Sequence, residues 1–276
     1  MAGKLSPMME HYLKVKEEYK DCVVFYRLGD FYEMFFDDAV TVSRELELTL
    51  TGRDCGLEER APMCGVPFHS ADVYISRLIA LGYKVAICEQ IEDPKEAKGM
   101  VERAVVRIIT PGTTVSEAIL DEGSNNYLVT LSYGEKSMGL CAADTSTGEV
   151  LATEFSNRHS VIDELASYSP KEIVVNSNFP EKLRREIETN IRVKCTVKED
   201  IFSNNPAELI EAQFGKNMDQ LEIITKTNCQ DAIAAALNYI RYARKCGIKY
   251  INKITIYRAD NYVELDYATR RNLEIT

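Results

Sequence analysis

The segment CVVFYRL (22–28) is short, rich in β-branched and aromatic side chains, and closed at once by Gly29-Asp30. An apolar run of that length stopped by turn residues predicts a buried strand. KVAICEQI (84–91) has the same character, and RAVVRIITPG (103–112) ends on Pro111-Gly112. Around these runs the apolar spacing lengthens to three or four residues. Met8, Tyr12, Val15 and Tyr19 mark a helix over 5–20. HSADVYISRLIALGYK (69–84) marks another, with a cap near Ser70, Asp72 in its first turn and Gly82 at its end. FYEMFFDDAVTVSRELEL (31–48) also fits a helical period, with Phe35, Ala39, Val42 and Leu46 on one face. TLTGRDCGLEERAPMCGVPF (49–68) is broken by Gly and Pro and reads as loop with a strand or two, and EDPKEAKGMVER (92–103) reads as an exposed turn. Strands alternating with helices restrict this part of the chain to an α/β fold.

The pattern then changes. Residues 111–125 read as a link, after which YLVTLSYGEKSMGLCAADTSTGEVLATEF (127–155) gives three alternating strands joined at YGEK and TSTGE. Helix follows at 160–169, strand at 171–177, helix at 181–189 and strand at 192–199. PAELIEAQF (206–214) and CQDAIAAALNYIRYARK (229–245) are helical. An antiparallel meander followed by βα units is the element order of the ribonuclease-H-like fold. The end, YVELDYATRRNLEIT (262–276), carries no helix stop signal and reads as a helix cut short, so the chain is expected to be a fragment. The expected organisation is a domain over 1–112, a linker over 113–125, a second domain over 126–257 and the start of a third over 258–276.

Composition excludes several classes. No apolar run approaches the ~18 residues that span a bilayer, and the N-terminus lacks the apolar core of a signal peptide. A cytoplasmic protein without membrane contact is expected. The eight cysteines include no C-x-x-C pair and there are only three histidines, so no metal site is expected and the thiols read as small hydrophobes. The formal net charge is −10, and residues 1–112 hold 14 Lys and Arg against 19 Asp and Glu. A protein that merely coats nucleic acid needs a basic face, so any contact with DNA must rest on shape or a few local cations.

YRLGDFYEMFFDD (26–38) places Phe31, Tyr32, Phe35 and Phe36 among Asp30, Glu33, Asp37 and Asp38. Spacing alone reads Phe31 and Phe35 as core residues at i and i+4, and Glu33 as a solvated helix position.

Five ordered blocks, GDFYEMF (29–35), APMCGVPFH (61–69), VAICEQIEDP (85–94), VERAVVRIITPGT (101–113) and DYATRRNLEIT (266–276), together resemble the N-terminal half of the MutS family of DNA mismatch-recognition proteins. The resemblance implies a mixed-sheet mismatch-recognition domain followed by a ribonuclease-H-like connector domain and the beginning of a helical lever. It implies that Phe31 enters the minor groove and stacks at a mispaired base, while Glu33 hydrogen-bonds that base. Phe35 and Phe36 stay in or near the core. The physics of such a wedge is sound. Unstacking a base step costs a few kcal/mol and is repaid by contacts along the bent duplex; the cost is least at a mispair. Stacking returns about 1–3 kcal/mol without regard to base identity. A carboxylate among phosphates discriminates only if the base offers a donor or if the carboxyl is itself protonated.

Leu28 and Asp30 flank the wedge, and Arg53 and Met63 fall in blocks that lie near DNA in the family. Arg77, Arg103 and Arg107 are further candidates, each able instead to pair with a nearby acid. His69 and Cys64 read as structural. The implied partners are double-stranded DNA with mismatches or small loops, MutL, and a second copy in the full-length protein; the fragment alone is compatible with a monomer. ATP and magnesium belong to the full-length family protein. No G-x-x-x-x-G-K-[ST] loop occurs here, and FGKNM (214–218) has neither the glycine loop nor the Ser or Thr, so no ATP hydrolysis is expected. The alternative reading is a ribonuclease-H-like nuclease or a small-molecule α/β enzyme. A nuclease needs acids meeting at one metal site, and Asp144, at the edge of ADTSTGE, suits a turn. A third reading, an interaction scaffold, would leave Phe31 packed inside.

Overall fold

The computed structural model describes residues 4–92, 101–114, 125–156, 160–215 and 226–258. The helix expected at 262–276 and most of the expected linker lie outside the described residues. The fold divides into two compact units, the first built mainly from residues up to Pro111 and the second from most of the remainder.

In chain order the first unit runs α1 (Pro7–Glu18), β1 (Cys22–Leu28), β2 (Phe31–Phe35), α2 (Phe36–Leu46), β3 (Thr51–Arg53), β4 (Ala61–Pro67), α3 (Ala71–Ala80), β5 (Lys84–Gln90) and β6 (Arg103–Ile109). The strands form one sheet in the order β3-β4-β2-β1-β5-β6. All pairs are antiparallel except β1 with β5. Residues 31–35 are therefore strand, where the sequence reading has helix. Pairing on both edges, with β1 on one side and β4 on the other, outweighs the helical spacing of Phe35, Ala39, Val42 and Leu46. That spacing governs only from Phe36 onward. The switch from strand to helix passes through Phe36 at φ +52°, an uncommon conformation for a bulky side chain. Helix α3 is also shorter than the expected 69–84: residues Phe68–Ser70 form a single 3₁₀ turn, and the Ser70 hydroxyl donates to the Pro67 carbonyl at 3.2 Å instead of capping α3.

The pleat sorts the core into two layers. Phe25, Tyr32, Met34, Cys64, Val66 and Ile87 face α2 and α3, where Ala39, Val42, Ile75 and Leu78 meet them. On the opposite face Tyr26 and Phe35 pack edge-on to Tyr12 of α1, at 5.6 and 5.0 Å between centroids. Burying each large apolar side chain contributes about 1.5–3 kcal/mol. One polar hub ties the layers together. Asp38, buried at the start of α2, accepts hydrogen bonds from the Tyr12 hydroxyl at 2.9 Å, the Val24 amide at 3.0 Å and the Lys16 ammonium at 2.8 Å. Burial, then the Asp38 charge, pushes the Tyr12 hydroxyl well above the usual phenol range, which keeps it a donor.

The second unit runs β7 (Tyr127–Tyr133), β8 (Met138–Asp144), β9 (Glu149–Phe155), α4 (Ser160–Tyr168), β10 (Glu172–Val175), α5 (Glu181–Ile191), β11 (Cys195–Val197), α6 (Pro206–Phe214), α7 (Thr227–Arg244) and β12 (Thr255–Ile256). Its sheet order is β11-β10-β7-β8-β9-β12. β7, β8 and β9 form an antiparallel meander, and β10 and β11 add in parallel beside β7. This is the arrangement of the ribonuclease-H-like fold. α7 covers one face against Leu128, Cys141, Ala143 and Val174, and α4 and α5 cover the other against Val129, Leu140 and Ile173.

Asp38→Ala strands Lys16, the Tyr12 hydroxyl and the Val24 amide together. Removing one member of such a buried network costs about 3–5 kcal/mol. Urea denaturation should show a loss of about 3 kcal/mol in the first unit, far more than for an exposed acid such as Asp37→Ala.

Candidate nucleic-acid interface

The β1–β2 connection is a two-residue turn, since Leu28 pairs directly with Phe31. Gly29 takes φ +57° there, a left-handed conformation that glycine adopts without steric cost. The Phe68 amide donates to the Asp30 carbonyl at 2.9 Å and Arg27 Nε to the Gly29 carbonyl at 2.5 Å, so both turn residues are held from outside the turn. Phe31 follows immediately, paired with Leu28 on one side and Pro67 on the other. Phe31 is 47% exposed. Among the described residues no other ring packs on it.

Alternation then decides the neighbours. Tyr32 and Met34 point into the core, and Phe31, Glu33 and Phe35 share the opposite face. Phe35 is sealed beneath Tyr12 and Phe36 is half-buried. Phe31 lies at the far end of the same face, where it remains open. The rungs that carry Phe31, Glu33 and Phe35 also carry Leu28, Gly65 and Met63. Arg53 joins them by an ion pair to Glu33 Oε2. Five residues picked from sequence, Leu28, Phe31, Glu33, Arg53 and Met63, thus gather on one face of the sheet. Asp30 is exposed at its rim.

The other candidates are placed elsewhere. Arg107 pairs with Ile87, whose side chain belongs to the α2–α3 layer, so Arg107 lies on the opposite face. Arg77 is exposed on α3, which covers that same opposite face. Arg103 is buried: its guanidinium donates to the carbonyls of Arg27 at 2.9 Å and Val101 at 2.7 Å and lies 5.3 Å from the Tyr26 ring. It braces β1 and is not offered to solvent. His69 is exposed with its ring 5.8 Å from Phe68. Cys64 is buried on the core side, its thiol pushed up to about 12 by burial and then by the Asp38 charge.

Three supporting residues escape a reading by spacing. Tyr32 donates its hydroxyl to Glu89 Oε1, and Arg27 pairs with the same oxygen at 3.7 Å. Arg27 also stacks its guanidinium 3.5 Å from the centre of the Phe68 ring. This assembly lies directly behind Phe31 and Glu33, on the other side of the strand. Burial, followed by the Glu89 bond, raises the Tyr32 hydroxyl above the ordinary phenol range, so it stays a donor at any physiological pH. The third is Gly65: a Cβ there would stand 3.1 Å from the Tyr32 carbonyl and 3.4 Å from Glu33 Cγ, so a larger residue would crowd the Glu33 side chain. One signal for Arg27 was a lone cation inside the apolar run CVVFYRL.

In the second unit Asp144 serves its turn. It is fully buried and accepts from the Asn126 amide at 3.1 Å, the Ser146 amide and hydroxyl at 2.8 and 2.6 Å and the Thr147 amide at 3.4 Å. Among the described residues no group of three or more His, Cys, Asp or Glu is arranged to hold a metal ion. No helix of the described residues is long and apolar enough to cross a membrane.

Comparison with known proteins matches both units. Residues 6–118 match the family model for MutS domain I, and residues 126–254 that for MutS domain II. The chain is 49% identical over 276 residues to the DNA mismatch repair protein MutS of Caldanaerobacter subterraneus, covering 98% of this chain and 32% of that protein. It is 49% identical to the MutS of Acetivibrio thermocellus, with 99% and 32% coverage, and 50% identical to that of Clostridium botulinum, with 99% and 29%. The chain therefore spans about a third of the length of these relatives.

Tyr32→Phe removes only the hydroxyl that anchors β2 to Glu89. Loss of a half-buried bond to a carboxylate should lower stability by about 1–2 kcal/mol. Chemical denaturation of the variant against the parent measures this, and an unchanged midpoint would show the anchor to be idle.

Proposed function

The chain belongs to the MutS family of DNA mismatch repair proteins, and from that premise we propose that its first unit recognises mispaired or looped-out bases through Phe31. The observation that carries this reading is a large aromatic ring left open at the end of a sheet face whose other rings are buried. The ring enters the minor groove at a weakened step and stacks on one base. Glu33, one pleat along the same strand, reaches that base by a hydrogen bond. Leu28, Met63 and Asp30 line the approach.

Recognition of this kind measures deformability. An intact duplex resists unstacking and a mispaired step resists less, so the same ring binds where the DNA has already lost stacking. Base identity contributes little, which suits a reader of many different errors. The acidic balance of the chain agrees with a probe of shape. Sequence-independent grip on the backbone then comes from parts of the relatives that this chain does not match.

For the second unit we propose a connecting role without chemistry of its own, relaying nucleotide state from an ATPase and presenting a surface to MutL. Family membership supports it, together with Asp144 being committed to its turn. ATP and magnesium act elsewhere in such a protein, which works as a homodimer in the cytoplasm.

Phe31→Ala should abolish the preference for heteroduplex. With stacking worth about 1–3 kcal/mol, the heteroduplex-to-homoduplex affinity ratio should fall by about 5- to 150-fold while homoduplex binding stays nearly constant. Fluorescence anisotropy with a single-mismatch duplex and its matched control, on the full natural product of the gene, reads both. A ratio that survives the substitution would remove the wedge. The 276-residue chain alone should bind a mismatch weakly, and nanomolar mismatch-specific binding at physiological salt would contradict that division of labour.

A further inference from the structure

We infer that Arg53 is a positioning residue for Glu33: it neutralises and aims the carboxylate so that one oxygen is left free for the base. The inference deepens the reading above and rests on it.

Three observations carry it. Arg53 sits at the end of β3 and reaches Glu33 on β2, although β4 lies between those two strands. Arg53 pairs with Ala61, two residues from Met63, so its long side chain lies over β4 on the face that carries Glu33. The carboxylate is mostly covered, with 15% of the Glu33 side chain accessible, while Arg53 keeps 37%. A carboxylate that covered is costly unless paired. Finally, Arg53 engages Oε2, and among the described residues Oε1 has no partner. Gly65, opposite Glu33, is what gives the side chain room: a Cβ there would stand 3.4 Å from Glu33 Cγ.

The chemistry follows from the pairing. An unpaired Glu33 next to a ring inserted between base steps would face phosphates and be repelled. With the guanidinium attached to one oxygen, the pair is neutral as a unit. The second oxygen remains an acceptor, and the charge-assisted bond to the first limits how the carboxylate can turn. A base that presents an N–H at that point is held. A phosphate contact by Arg53 would be a different role, since it would act without Glu33.

The two roles separate in a double-mutant cycle on the full natural gene product, read as heteroduplex Kd. If Arg53 acts through Glu33, Arg53→Gln weakens binding at least about fivefold when Glu33 is present and less than about twofold in the Glu33→Gln background, a coupling of the size seen between contacting residues. Arg53→Lys, which keeps the charge, should return affinity to within about threefold of the parent. Equal losses in both backgrounds would make Arg53 an independent phosphate contact and overturn the inference. No loss in either would make the pair a surface ion pair without a role, and would overturn it too. Thermal melts of each variant exclude unfolding as the cause. Phe31→Ala distinguishes this failure from failure of the parent reading: if Phe31→Ala still destroys mismatch preference while the cycle is additive, only the role of Arg53 falls.

Discussion

Strand β2 is held on both edges, by β1 through a two-residue turn and by β4 along its whole length. Nearly everything about the candidate interface descends from that double pairing. It overrides the helical spacing of residues 31–48, and it imposes a period of two on a stretch whose side chains alternate in character. Tyr32 and Met34 go to the core, and Phe31 and Glu33 are turned outward. Shifting the register by one residue would bury the charge and expose the tyrosine. The hydroxyl of Tyr32 on Glu89, and Arg27 beside it, make the observed register the one in which a buried polar group finds its partner.

Much of the fold was legible in residues alone. Short apolar runs closed by Gly or Pro marked β1, β5 and the β7–β9 meander, because a buried strand leaves no freedom in which residues it uses. Helices α1 and α7 were visible in their spacing. The strand at 31–35 was not, because Phe31 and Phe35 are four apart and the helix that follows continues the same period; only the partner strand, thirty residues away, decides between the two. The candidate site was legible in part. Resemblance to a family picked out Phe31 and Glu33, and the sheet brings Leu28, Arg53 and Met63 to the same face. Arg77, Arg103 and Arg107 look alike in sequence, yet one is buried as a brace and two lie on the far side of the sheet. Sequence carries no mark of which face a cation will occupy when the strand is at an edge or the helix is on one side only.

Charge and shape divide the work unequally. The chain carries a net charge of −10, and two cations around this part of the sheet are already engaged, Arg27 with Glu89 and Phe68, Arg53 with Glu33. Such a surface gains little from counterion release. What this face carries is a half-exposed ring and a carboxylate paired with Arg53. Selectivity built from those parts rises where the duplex is locally soft.

The hairpin that carries Phe31 has almost no slack: two turn residues, each bonded from outside, and a strand clamped on both sides. If the proposed insertion occurs, a hairpin held in this way would leave most of the deformation to the duplex. On that proposal the work of insertion would be set chiefly by the nucleic acid, with the protein as a fixed gauge that returns a larger reading wherever the material under it is more compliant.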